Sequence, residues 1–199
     1  MACILFSAGH FSKFAKTNYK VIKSQNQYVT KSKNRHNHDM NKMEKLDALN
    51  QVAEFHRTFR HPILPQPTIP SEERCRLRVA LLAEELKELQ EAIKDKDIVE
   101  VADALCDMQY VLTGAVLEFG LGEKFKALFD EVQRSNMSKT CHSLEEAEAT
   151  VRHYEETKGF DCYIHQEGDV YLVYRKDDHK TLKSVNYSPA DLKAILAKE

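Results

Sequence analysis

The chain has 199 residues, 42% hydrophobic and 30% charged, with six glycines and no tryptophan, which suits one globular domain with or without appendages. No apolar run approaches the roughly 20 residues that cross a bilayer, so no segment reads as a transmembrane helix. The net charge of −2 is unevenly spread: residues 1–42 carry eight Lys/Arg against Asp39 alone, a balance of +7, and the remainder carries −9.

Residues 1–42 read as a basic, disordered leader. Their composition also fits organellar import, whereas the ACILFSA start is too short, and lacks a preceding basic region, for a secretory signal. Met40 and Met43 are alternative starts. Five cysteines (Cys3, Cys75, Cys106, Cys141, Cys162) are odd in number and never spaced C-x-x-C. That pattern points to a reducing, cytoplasmic setting and away from disulfides or a cysteine zinc site. Cys141 and His142 are adjacent and cannot chelate an ion by themselves.

From Met43 the pattern is helical. KLDALNQVAEFHRTF carries Leu46, Leu49, Val52, Ala53 and Phe59 near helical spacing. It stops at HPILPQPTIP, where four prolines forbid continued helix. Ser71 is a good N-cap, followed by Glu72 and Glu73 in the first turn, and that helix should run to about Lys94. Asp97 caps the next, with Glu100 in capping-box spacing. Gly120 and Gly122 end it. EKFKALFDEVQRS forms a fourth helix ending at Asn136. SLEEAEATVRHYEETKG forms another, with Ser143 and Glu146 as a capping box and Gly159 as its stop. CYIHQ and VYLVYR, around Glu167-Gly168-Asp169, read as a hairpin. YSPADLKAIL closes with a short helix that has Pro189 in its first turn. The expected fold is mainly α: a core of about four helices over residues 43–140 and a small C-terminal α/β tail, 141–199, containing the hairpin.

The carboxylates set this pattern apart. On a wheel of 100° per residue, Leu82, Leu86, Leu89 and Ile93 form a core stripe with Leu81 and Ala92 to one side. Glu85 falls between those groups, Glu88 lies beside Leu81, and Glu84 lies next to Glu88. Glu91 faces solvent with Lys87 and Lys94. Between Asp97 and Glu123 there is no Lys or Arg. Glu100, Asp103 and Asp107 share one face there, amid Val99, Leu105, Met108, Val111, Leu112 and Val116. A helix apolar nearly all round should be buried. A solvated face would mix signs of charge, and unpaired buried carboxylates are costly. Two helices, each presenting acids at i and i+3, resolve that conflict by holding a hard divalent cation such as Mg²⁺ or Mn²⁺. A di-iron bundle requires Glu-x-x-His; no His lies between residues 62 and 141. There is no P-loop and no Ser/His/Asp or Cys/His arrangement.

EELKE at 84–88 followed by EVAD at 100–103 resembles the E-E-x-x-E…E-x-x-D pattern of the MazG-like all-α nucleoside triphosphate pyrophosphohydrolases, a superfamily that includes phosphoribosyl-ATP pyrophosphohydrolase. DALCDMQYVLTGAVLEFGL and LFDEVQRSNMSK resemble a standalone branch, and the KTLKSVNYSP tail is similar to an extension found in some members. The resemblance implies a MazG-like helical bundle that hydrolyses a nucleoside triphosphate to monophosphate and pyrophosphate with Mg²⁺, Mn²⁺ being a substitute. It implies Glu85, Glu88, Glu100 and Asp103 as metal ligands and Glu84 as a further ligand or the group that activates water. Asp107 would orient the ligands. Lys139, Asn136, Arg78, Tyr110 and Lys183 are candidates to bind substrate. Phe55 and His56 could pack a base or the core. A homodimer or homotetramer is implied, with no membrane partner. Phosphoribosyl-ATP hydrolysis and a non-catalytic metal- or nucleotide-binding module are the alternatives. Nucleic-acid binding is disfavoured, because the basic leader lacks interleaved aromatics.

Overall fold

The structure, a computed structural model, describes residues 44–197. The leader therefore lies outside the described residues, apart from which Leu46–Glu199 forms one compact unit. Its elements are α1 (Ala48–Phe59), α2 (Glu72–Asp95), α3 (Ile98–Glu118), α4 (Phe125–Met137), α5 (Leu144–Lys158), β1 (Cys162–Glu167), β2 (Val170–Arg175) and α6 (Leu192–Leu196). The chain is mainly helical with a small C-terminal hairpin, as its sequence implies. None of the described helices is long and apolar enough to cross a membrane.

The helix starts follow from side-chain chemistry. Ser71 Oγ accepts from Arg74 N–H, Asp97 from Val99 and Glu100 N–H, and Ser143 from Glu146 N–H, so orphan amides of the first turns are satisfied. Glu146 returns its carboxylate to His142 N–H at 2.8 Å, one residue before the cap, rather than to Ser143. Gly159, with φ +63°, closes α5 in the left-handed conformation that a glycine adopts at low cost.

Helix α3 is the shared partner of α1 and α2, while α4 packs on α6 and α5 on both strands. Two apolar centres result. Val52, Ala53 and Leu117, with Leu49 against them, join α1 to the C-terminal half of α3. Cys141, Ala147, Cys162, Val173 and Leu182 fill the space between α5 and the hairpin. The strands pair antiparallel from Cys162↔Arg175 to Glu167↔Val170, and isolated bridges add Cys141 to Tyr171 and Thr181 to Tyr174. The proline segment folds back on the end of α3: Leu64 N–H donates to Leu117 carbonyl and Thr68 N–H to Phe119 carbonyl, both at 3.1 Å. Gly120, at φ +66°, makes that approach possible, because a Cβ there would stand 1.9 Å from the Gln66 carbonyl oxygen.

Three expectations need correction. Pro189 precedes α6 rather than sitting in its first turn, since Asp191 is the N-cap and accepts from Ala194 N–H. Helix α3 is not buried throughout: Ile98, Val99 and Leu105 are 76%, 70% and 50% exposed. Burial belongs to its C-terminal half (Thr113, Gly114, Val116, Leu117, Glu118), where α1 and the proline segment cover it. The α2 stripe is likewise only half covered; Leu82 and Leu89 are partly buried, whereas Leu86 and Ile93 are exposed. Among the described residues no helix covers these two surfaces.

Candidate functional site

The acids on α2 and α3 converge. Glu85 is partly buried, and its Oε2 is sealed from solvent without a hydrogen-bond partner. Burial raises its carboxyl above the usual range, and Glu88, Asp107, Glu84 and Asp103 push it in the same direction. The structure thus brings five predicted acids, three from α2 and two from α3, into one electrostatic neighbourhood. Glu100 is not among the groups acting on Glu85; it is exposed one turn before Asp103 on α3. As these side chains lie, no three His, Cys, Asp or Glu groups among the described residues are gathered to hold an ion. The donor set still fits a hard cation: all-oxygen, convergent, and built around one buried oxygen that nothing among the described residues satisfies. None of Glu84, Glu85, Glu88, Glu100, Asp103 or Asp107 is ion-paired with a base among the described residues.

Arg78 is in a different setting. Its guanidinium is buried against the Glu118 carboxylate, which is 1% exposed and also held by Arg74, whose Nε donates at 3.1 Å. His56 completes the cluster. Its Nδ1 lies 2.9 Å from the Pro62 carbonyl and its Nε2 lies 3.3 Å from Arg78 Nη2. With Nδ1 donating to Pro62, Nε2 is the acceptor for Arg78, which requires a neutral ring. Burial accordingly lowers the His56 pKa, and Arg78 adds to the effect. The two arginines hold Glu118 below the usual carboxylate range despite its burial. Gly114 makes room: a Cβ there would lie 2.8 Å from Arg78 Nη1 and 3.0 Å from His56 Nε2. His56 is thus a core residue. Sequence reasoning missed Glu118, although an acid in the last turn of a helix, unfavourable to the helix dipole, already signals a cation from another element.

Tyr110, one turn beyond Asp107, is 38% exposed and meets the Phe55 ring edge-on at 5.5 Å. Phe55 also lies beside His61 and Phe59, at 5.7 and 4.4 Å. This aromatic group adjoins the acid-bearing stretch of α3.

The remaining substrate candidates meet at the end of α4. Lys139 Nζ donates to Asn136 Oδ1 at 2.9 Å, and Lys183 Nζ stands 4.2 Å from the centre of the Tyr187 ring. The Tyr187 hydroxyl is 2.9 Å from Ser135 Oγ. Ser135 and Tyr187 were not anticipated, although both lie in the SNMSK and NYSP segments that the sequence singles out.

Residues 52–136 match the family model described as phosphoribosyl-ATP pyrophosphohydrolase. An uncharacterized protein of Acanthamoeba polyphaga mimivirus is 24% identical over 236 aligned positions, covering 73% of this chain and 94% of that relative. The matched segment spans α1 to the last turn of α4 and contains all the acids of the cluster, so the superfamily resemblance carried by EELKE and EVAD is borne out. A domain of pyrophosphohydrolase type is supported at that level. Lys139, Lys183 and Tyr187 lie beyond the match.

Proposed function

We propose that the protein is a Mg²⁺-dependent pyrophosphohydrolase that splits a nucleoside triphosphate between its α and β phosphates, releasing monophosphate and pyrophosphate. The observation that carries the reading is the buried, unpartnered Glu85 Oε2 amid four further carboxylates on two helices. Repulsion of that kind costs stability, and a divalent cation offsets it. Glu85, Glu88, Glu100 and Asp103 would hold the ion, and Asp107 would orient them. When bound, Mg²⁺ neutralises charge developing on the phosphate oxygens and acidifies water. Glu84, exposed and acting on Glu85, would take the proton of the attacking water. That oxygen joins one phosphate while the bridging oxygen leaves with the other, so no protein nucleophile is needed. Tyr110 and Phe55 offer a face for a base. Arg78 is committed to Glu118 and is set aside as a direct substrate ligand.

The matching family description favours a second substrate, phosphoribosyl-ATP, for the same chemistry. The test is pyrophosphate release by the full chain with Mg²⁺ across NTPs, dNTPs and phosphoribosyl-ATP, with Glu88→Gln alongside. Monophosphate plus pyrophosphate, lost in the variant, is the expected result. Silence on every substrate, despite Mg²⁺ binding, would leave a non-catalytic binding module.

A further inference from the structure

We infer that His56 is a proton-operated latch: a proton on its Nε2 drives the ring off Arg78 and releases the proline segment, and with it the Phe55 face, from the end of α3. Its consequence for activity rests on the pyrophosphohydrolase reading, which offers Phe55 and Tyr110 to a base, whereas the latch itself rests on the geometry around the ring.

That ring joins four parts of the fold. His56 stands on α1 and is 3% exposed, with Nδ1 2.9 Å from the Pro62 carbonyl of the proline segment and Nε2 3.3 Å from Arg78 Nη2 on α2. Helix α3 closes the site with Glu118 and with Gly114, which backs both side chains. Only a neutral ring suits both contacts, donating to Pro62 and accepting from Arg78. A second proton turns Nε2 into a donor facing a donor. Two guanidiniums, Arg74 and Arg78, already share the one Glu118 carboxylate, so the cluster holds an excess positive charge and the imidazolium adds another. Arg78 has no alternative acceptor: its Nε is sealed from solvent without a hydrogen-bond partner among the described residues. The titratable groups that face the ring are Arg78 from α2, Glu118 from α3 and His61 from the proline segment. Burial disfavours the charged ring most, Arg78 and His61 add to that, and the Pro62 carbonyl and Glu118 oppose it, which leaves its pKa below 6.5.

What yields is the proline segment. Leu64 N–H and Thr68 N–H tie it to the Leu117 and Phe119 carbonyls, and its four prolines have no N–H to add. Helix α1 keeps its own anchor, Val52 and Ala53 against Leu117. Release of the segment is therefore a local event, smaller than unfolding. His61, at its root, stacks on Phe55 with ring centres 5.7 Å and planes 15° apart, and Phe55 meets Tyr110 at 5.5 Å. Release strips His61 from Phe55 and unsettles that aromatic face. A solvated ring takes its proton near pH 6.5, so release is favoured by up to about tenfold per pH unit below that value, until the docked ring titrates as well.

The test is hydrogen exchange of the full chain by NMR between pH 7.5 and 5, corrected for the intrinsic pH dependence of exchange. Protection of the Leu64 and Thr68 amides should fall at least about tenfold, whereas Leu182 N–H, which donates to the Val173 carbonyl at 2.8 Å, should keep its protection. The fall should begin near pH 6.5 and end where imidazole nitrogen shifts show His56 titrating in the docked state. In His56→Gln the side-chain amide can still donate to Pro62 and accept from Arg78 but takes up no proton, so the fall should vanish; in His61→Gln it should persist. Level protection in the wild type, a fall outside that window, an equal fall in His56→Gln or its loss in His61→Gln each overturns the latch. The two wild-type criteria hold even where His56→Gln fails to fold. With a hydrolysed nucleotide, KM should rise across the same window in the wild type and not in His56→Gln; parallel KM profiles overturn the link to the site. If no nucleotide is hydrolysed but Leu64 and Thr68 protection follows His56, the latch stands and the pyrophosphohydrolase reading falls. If hydrolysis proceeds while protection stays level, the reverse holds.

Discussion

Replacing Glu118 by Gln keeps its shape and removes the one negative charge that, among the described residues, compensates Arg78. The Arg78 side chain is 10% exposed, so it cannot recover full hydration where it lies; Arg74, at 29%, can turn toward solvent. The two losses therefore differ in size. Breaking a buried pair costs about 3–5 kcal/mol, whereas the partly exposed Arg74 contact adds at most about 1 kcal/mol. For a domain of this length each kcal/mol shifts Tm by about 2–4 °C, so the melting temperature should fall by roughly 6–24 °C. That is a large part of a typical stability of about 5–15 kcal/mol. Circular dichroism melts of wild type, Glu118→Gln and the control Glu91→Gln measure it. Glu91 faces Lys87 at 3.7 Å on the surface and should be worth under about 1 kcal/mol. The double variant Arg78→Met/Glu118→Met should regain part of the loss, because no buried charge is then stranded. A Glu118→Gln melt within about 2 °C of wild type would refute the claim that this carboxylate compensates a buried cation.

Gly120→Ala should lower the urea midpoint by more than a surface change does, about 1–2 kcal/mol for the left-handed backbone alone, with displacement of the proline segment added. A midpoint at the wild-type value would show that the segment does not depend on Gly120. Glu85→Gln should raise stability in EDTA by about 0.5–2 kcal/mol, seen as a higher Tm, while weakening Mg²⁺ binding, because it relieves repulsion among five acids; a fall in Tm would mean that the charge is compensated. Acid should destabilise in two stages. His56 has its folded pKa lowered from 6.5, so its contribution is complete above that value and is lost as pH falls below it. Glu118, lowered from 4.5, contributes fully above that value and loses its contribution as pH falls through its folded pKa. In Tm against pH, His56→Gln should flatten the first stage; profiles parallel to wild type between about pH 7.5 and 5 would contradict the neutral, buried ring.

What was legible in the sequence is what local chemistry decides. Ser71, Asp97 and Ser143 each cap the helix they were read to cap, because a short polar side chain before an apolar run has one favourable use. The acid faces of α2 and α3 were legible because helical periodicity fixes which residues share a side. Partners separated by many residues were not. Nothing local to FGLG predicts that Gly120 must admit the Gln66 carbonyl, nor that Glu118 will collect Arg74 and Arg78 from another helix. The burial of α3 was misjudged because an apolar surface says only that something covers it, and the covering surface need not come from the same chain.

That covering surface leads to a prediction about assembly. Leu86 and Ile93 on α2 are 47% and 51% exposed, and Ile98, Val99, Leu105 and Leu112 on α3 are 76%, 70%, 50% and 42% exposed. An apolar surface of this extent, borne on the helices that carry the acids, is more than scattered single residues would leave. Burying such side chains yields about 1.5–3 kcal/mol each, and a two-fold interface buries every one of them twice. Six residues per copy therefore offer ample driving force against an association cost of about 4–15 kcal/mol. The protein should sediment as a dimer or tetramer, and Leu105→Glu should shift it toward monomer without lowering its helix content. Leu105 lies two residues from Asp103, so activity should fall with the assembly if the covering copy also encloses the acid cluster. A wild-type protein that sediments as a monomer at micromolar concentration and remains fully active would refute the argument, and the exposed stripe would then need another partner.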